Sequence, residues 1–462
     1  MIGPVRGGNL IARRCSAAGR LGVVGTSAPE AAWIGRDMLR AGGNAYDAAL
    51  AAALAETVLV PSKCGLAGDL IALTRTPDGE VRCLVAIGGA AAGLADAVAE
   101  QGLPVTGGLA TGVPGAPAGY QELASLATLA LPELAAPAIG LARNGAAWSP
   151  LTYDYTVRAA ATLRRENPEG VVFLPKDQPI PAGKWTALPG HADALTEFAR
   201  VGAELFHGVL GDAMVSKVAD RGGVITIDDL KSAYAQWVPP ATAMIGGRQL
   251  WATPLPTHGP ALFDALMGSG PVADQATRVR DARDRLRASA GDQVGDSGTS
   301  VVTAADGAGN VVVLVHSLSH PTFGSGLVLP GVDLVLGNRP GRGFTDEAGH
   351  PNAPAPGRRP VTTLHAWAIG GTDAMPFTAG ATSGGIQQVP WNLQVIERLT
   401  SSTCIEHAVL EPIWEISGDG VVRYEDEPWS MESGIQIVQP PDEAGVCHVV
   451  SDIRSIGGTA AA

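Results

Sequence analysis

The sequence predicts a mixed α and β fold, and three observations carry that reading. Helix start and stop signals bracket two consecutive segments within residues 27–59. A strand, turn and strand pattern follows at residues 70–87, and a second, more apolar one fills residues 299–319. Apolar residues make up 46% of the chain, ample for a core in a protein of 462 residues.

Taken in order, Ser27 stands where a side-chain oxygen caps a helix, and Pro29 falls in the first turn, where its missing N–H costs nothing. Gly42-Gly43 ends that helix, and the Ala/Leu-rich residues 45–59 form a second one packed on a sheet. Residues 70–75 and 81–87 flank Thr76-Pro77-Asp78-Gly79, the chemistry of a tight turn, and read as a hairpin. Short helices are expected at residues 117–127, 134–143, 192–201 and 213–220. Residues 276–290 carry closely spaced opposite charges between Arg278 and Arg287, which suits a solvated helix better than a basic binding site. The polar, Gly-rich residues 291–298 then lead directly into Thr299.

A net charge of −13 offers no counterion release, which argues against nucleic acid or an anionic membrane as partner and favours a small-molecule substrate. Five widely spaced cysteines form no Cys-x-x-Cys pair, so they read as plain thiols of a reducing compartment. The first 24 residues contain arginines but no continuous apolar run, and no stretch approaches the ~20 apolar residues of a membrane span. The expectation is a cytoplasmic protein.

Chemistry concentrates at Gly298-Thr299-Ser300. A hydroxyl residue after glycine opens a β-rich run, which turns at Asp306-Gly307-Ala308-Gly309-Asn310 and returns through residues 311–319. Threonine is a weak nucleophile unless a base lies beside it. Once it is N-terminal, its own α-amine, with an ordinary pKa of ~7.7–8, serves as that base. Self-cleavage before Thr299 would therefore both expose and activate the nucleophile, and glycines in the preceding loop tolerate the strained backbone that such cleavage needs. His316, His320 and His350 lack metal-ligand spacing, and this chemistry requires no histidine, metal or organic cofactor.

Gly298-Thr299-Ser300 with Asp306 and Gly309-Asn310 resembles the start of the small subunit in the γ-glutamyltransferase family of N-terminal nucleophile hydrolases. Further matches run in the family's order: residues 41–49 (AGGNAYDAA), the Gly-rich loop 64–70 (CGLAGDL), 111–115 (TGVPG), 137–139, 222–230, Asn338-Arg339, 349–352, 356–360 and Ser383-Gly384-Gly385. The resemblance implies a four-layer αββα sandwich, made as a precursor. Residues 1–298 would be the large-subunit part and 299–462 the small-subunit part, the two fragments staying together as one globular unit; a homodimer is left open. It also implies roles by position. Thr299 is the nucleophile, Gly384 and Gly385 supply oxyanion donors, and Ser317 bonds to the nucleophile. Ser319, Thr362, Thr363 and Gly89 line the substrate site.

The substrate positions depart from the family pattern. Its carboxylate-binding arginine is replaced by Gly89, its asparagine by Ser319, and its acidic loop reads Asn338-Arg339-Pro340-Gly341-Arg342-Gly343-Phe344. A γ-glutamyl group would leave its charges unpaired there, whereas Arg339 and Arg342 offer cations to a differently placed carboxylate. The leading expectation is an amide or related acyl hydrolase acting on a small anionic metabolite through a covalent Thr299 ester. The alternatives are carbon-carbon cleavage of the kind ascribed to γ-glutamyltransferase-like proteins of actinobacterial antibiotic pathways, γ-glutamyl transfer with a rebuilt clamp, and an uncut, non-catalytic scaffold.

Overall fold

A computed structural model describes residues 15–267, 271–290, 298–372, 375–402, 404–416, 421–425 and 434–462. Its framework is two antiparallel sheets of seven strands each. The first runs in the order Gly458–Ala461, Gly22–Thr26, Thr299–Asp306, Val311–Ser317, Asp69–Arg75, Val81–Ala86 and Gln236–Val238. The second runs Ser16–Gly19, Cys447–Ser451, Ile435–Gln439, Thr378–Thr382, Ala366–Ile369, Arg248–Ala252 and Ala241–Ile245.

Side chains alternate between the faces of a strand, so each sheet presents two surfaces. Val301, Ala305, Val311, Val313 and Val315 of the first sheet meet Ala366, Ala368, Ala379, Ala381 and Val438 of the second in a dry core between the sheets. The intervening Val302, Ala304, Val312 and Leu314 turn outward to a core shared with Pro29–Arg40, Ala45–Leu59, Ala116–Ala124, Leu131–Asn144 and Pro189–Val201. Gly259–Leu266, Val272–Ala290, Gln388–Leu399 and Ile405–Leu410 cover the second sheet. The layers are therefore helix, sheet, sheet, helix, as the resemblance implies.

Ala45–Leu59 is buried on every side, and its start is fixed by polar groups. Asn44 and Asp47 form a capping box. Asp47 also accepts from Thr128 N and Leu129 N, and Asp306 Oδ2 accepts from Ala45 N at 2.9 Å. The turn after the Thr299 strand is thereby pinned to the central helix, which accounts for two of the sequence motifs in structural terms.

Several local expectations shift. Ser27 does not cap the first helix, whose N-cap is Ala28; its Oγ accepts from Val301 N at 3.1 Å instead. The four short helices span Ala116–Ala124, Leu131–Asn144, Pro189–Val201 and Val209–Ala219. The charged helix is only partly solvated. Ala276, Val279 and Ala282 are buried in the second core, and Arg278 donates to Ala265 O and pairs with Glu397. Of the Gly-rich loop before Thr299, residues 291–297 lie outside the described residues.

Candidate active site

Three neighbouring strand ends build the centre of the site. Thr299 pairs in register with Ser317, and Ser317 with Asp69. By parity all three side chains share the inter-sheet face with Val301, Val315 and Ile71. Thr299 and Ser317 are buried, their oxygens 3.2 Å apart. Ser317 Oγ also donates to Gly298 O at 2.6 Å and accepts from Ser319 N at 2.8 Å. That leaves the Ser317 proton on the carbonyl of the bond before Thr299. Gly298 packs so tightly that a Cβ there would lie 1.6 Å from Ser319 O, which requires glycine at this position.

Asp69, quoted in the Gly-rich loop without a role, is the residue that sequence reasoning missed. Its Oδ2 accepts from Arg339 Nε at 2.6 Å, and its Oδ1 accepts from Gly88 N at 3.3 Å. Burial lifts the Asp69 carboxyl above its usual value, and the Arg339 charge partly offsets the rise. Arg339 is thus committed to a buried ion pair, yet its Nη2 is buried without a hydrogen-bond partner. Arg342 lies half-buried on the same short helix, Arg339–Gly343. Burial pulls its guanidinium below the usual value, with no acid among the described residues offsetting the shift. Asn338 holds this helix to the strand end through Leu318 O and His320 O. Gly89 abuts Gly357, where a Cβ would lie 2.6 Å from the carbonyl oxygen, so this turn has no space for an arginine.

The remaining predicted residues come from the second sheet. Cys447 Sγ contacts Asp306 O at one end of the sandwich, while Gln436 Nε2 donates to Thr26 O toward the other. The end of Thr378–Thr382 therefore points the same way as Thr299. Gly384, at φ 136°, and Gly385, at φ 53°, follow that strand, and Ser383 Oγ beside them is buried without a partner. Thr363 lies against Gln388, just after the glycine turn; the Gln388 side-chain amide donates to Thr363 O at 3.1 Å and to Thr382 O at 3.0 Å, whereas Thr362 Oγ caps its own turn by accepting from Leu364 N. Thr299, Ser317, Ser319, Arg339 and Gly89 form one group. Gly384, Gly385, Thr362 and Thr363 form a second at the same end of the sandwich.

His365 orders this second group and predicts a pH effect. Its Nδ1 donates to Thr363 O at 2.9 Å, and its Nε2 accepts from Asn392; Asn392 accepts in turn from Trp367 Nε1. Burial holds the imidazole neutral, with a pKa of about 4 against 6.5. The unfolded chain therefore takes up this proton first, and stability present above pH 6.5 is lost as the pH falls toward 4. A loss on the order of 3 kcal/mol is expected. Urea midpoints at pH 7.5 and 4.5 should differ less in His365→Gln than in the wild type.

On the outer face of the same strands, Glu56, Cys64 and His316 place an oxygen, a sulfur and a nitrogen within 4.8 Å of one another. Both His316 nitrogens and both Glu56 oxygens are already engaged in hydrogen bonds, so the cluster is a closed polar network. No helix among the described residues is long and apolar enough to cross a membrane.

Comparisons with known proteins give the family. The family model described as Gamma-glutamyltranspeptidase matches residues 31–285 and 269–437. The "Acylase ACY 1 proenzyme" of Pseudomonas sp. (strain V22) is 29% identical, across 94% of this chain and 90% of the relative. The "Oxamate amidohydrolase proenzyme" of Klebsiella pneumoniae is 26% identical, across 82% and 81%. The crystal structure of cephalosporin acylase from Bacillus halodurans superposes with a TM-score of 0.87 at 26% identity, covering 100% of this chain and 99% of that one. Glutathione hydrolases match over about half of this chain, as with "Glutathione hydrolase proenzyme 1" of Schizosaccharomyces pombe at 28% identity over 53% of it. The chain belongs to the gamma-glutamyltranspeptidase family, as an enzyme of the N-terminal nucleophile hydrolase kind.

Proposed function

We propose that this chain is a precursor that cuts itself between Gly298 and Thr299 and then hydrolyses an amide of a small anionic substrate through a Thr299 ester. The observation that carries the reading is Ser317, whose hydroxyl donates to Gly298 O while lying 3.2 Å from Thr299 Oγ. Thr299 Oγ attacks the Gly298 carbonyl carbon, and the Ser317 proton meets the charge that develops on Gly298 O. The C–N bond breaks as the Thr299 nitrogen takes up the proton that the Thr299 hydroxyl gave up on attack, leaving an ester between Gly298 and Thr299 Oγ. Water then hydrolyses the ester, releasing the Gly298 carboxylate and a free Thr299 amine, which becomes the base for later turnovers.

Substrate preference follows from charge. Arg342 and the free Nη2 of Arg339 supply cations. Asp69 is already paired with Arg339, and Gly89 stands where a γ-glutamyl clamp would have its arginine. An acyl group bearing a carboxylate but no ammonium fits this set, and the oxamate amidohydrolase relative is named for an anionic amide.

The test combines a denaturing gel with intact mass for the wild type and Thr299→Ala. Fragments 1–298 and 299–462 are expected in the wild type only. The cut enzyme should turn over oxamate or a carboxyacyl anilide at least 10-fold faster than a γ-glutamyl anilide. A wild type that stays intact, or a preference for the γ-glutamyl compound, would overturn the corresponding half of the reading.

A further inference from the structure

Behind the nucleophile lies a charged residue that the proposed chemistry does not use. Glu56 sits near the end of Ala45–Leu59, is fully buried, and has both carboxylate oxygens engaged. Oε1 accepts from Ser27 N at 2.7 Å. Oε2 lies 2.8 Å from His316 Nε2, and the other His316 nitrogen is 2.7 Å from Tyr120 Oη. Burying a carboxylate among alanines and leucines is costly unless its bonds fix something that an apolar residue would leave loose.

Those bonds reach both flanks of the Thr299 strand. Ser27 follows Gly22–Thr26, which pairs with the nucleophile strand only as far as Val302. Ser27 Oγ extends that contact by accepting from Val301 N. On the opposite flank, His316 pairs in register with Ser300 and immediately precedes Ser317. Because side chains alternate, Thr299 and Ser317 face the site while Ser300 and His316 face the helices. Glu56 is therefore one group that ties together, from behind, the two strands flanking Thr299.

We infer that Glu56, acting through Ser27 and His316, is a positioning residue that holds Thr299 Oγ, Ser317 Oγ and the Gly298 carbonyl in register for self-cleavage. This inference rests on the self-cleavage reading above. Charge is not the essential property. Glutamine in the same place accepts from Ser27 N–H and donates to a His316 nitrogen, so it keeps the clamp, whereas leucine keeps the volume and removes it.

The test is cell-free synthesis of the full chain, with cleavage followed over time on denaturing gels. Wild type, Glu56→Gln, Glu56→Leu, Ser27→Ala and Thr299→Ala are compared at a temperature where circular dichroism shows each variant folded. Glu56→Gln should cleave within about 3-fold of the wild type. Glu56→Leu should slow at least 10-fold while folded, and Ser27→Ala, which cuts only the link to Val301, should slow by a smaller factor. Should Glu56→Leu fail to fold, the comparison of Ser27→Ala with Glu56→Gln decides. A folded Glu56→Leu or Ser27→Ala that cleaves at the wild-type rate overturns the inference, because a solely structural role lowers stability without slowing the folded molecules. A wild type that never cleaves overturns the self-cleavage reading, and the clamp with it.

Discussion

Ser317→Ala is expected to slow cleavage before Thr299 by about 100- to 1,000-fold, the usual consequence of removing one preorganised donor from a developing oxyanion. In the uncut chain the Ser317 hydroxyl has two acceptors in reach, Gly298 O and Thr299 Oγ, and is oriented by the Ser319 N–H. Alanine removes the donor without adding volume, so the strand pairing from Thr299 to Ala305 should persist. Ser317→Thr restores the hydroxyl and should recover most of the rate. Time-resolved gels of freshly synthesised chain read this directly. Cleavage of Ser317→Ala at the wild-type rate would show that the hydrogen bond to Gly298 O has no part in the reaction.

Asp69→Asn should destabilise the fold by about 3–5 kcal/mol, since it leaves the Arg339 guanidinium buried beside a neutral amide. The reverse change, Arg339→Met, differs in kind because a carboxyl can shed its charge and a guanidinium cannot. Burial already raises Asp69 above its ordinary value, and removing Arg339 deletes its main offset, so the folded pKa rises further. With the folded pKa above the unfolded one, the folded protein binds the extra proton. The penalty in Arg339→Met is then small near pH 4 and grows as the pH rises through the folded pKa. Urea titrations at pH 5 and pH 8, each referred to the wild type, should show Arg339→Met losing more stability at the higher pH, and Asp69→Asn, which has no carboxyl to titrate here, showing no such rise. Equal losses for the two variants at both pH values would mean that Asp69 is not held as a charge in the fold.

Much of the site was legible along the chain because its chemistry is local. Gly298 and Thr299 are adjacent, and Ser317 returns eighteen residues later across one hairpin, so alternation and a tight turn suffice to place them on one face. The helix after Gly42-Gly43 was readable for the same reason, from the Ala/Leu-rich run of residues 45–59, and the Asn44–Asp47 capping box that the structure shows there is equally local. Ser27 misled because it is a good capping residue by type, yet its hydroxyl is drawn to Val301, 274 positions away. The charged helix misled in a similar way. Its arginines were visible as charges, but the acids that receive them lie on other helices, and its buried face shows only when Val272–Ala290 is set against the second sheet's helix layer.

The sequence by itself determined the hairpin that opens at Thr299 and, through the family resemblance, the order of layers around it. Tertiary structure alone decided how the charges are spent. Asp69 and Arg339 lie 270 residues apart, as do Glu56 and His316 at 260, and no periodicity relates such positions. Their partners are set by which strands become neighbours in a sheet and which helix covers them. In a low-dielectric interior that neighbourhood fixes whether an arginine is a locked ion pair, as Arg339 largely is, or a half-buried cation whose pKa is lowered by burial, as Arg342 is.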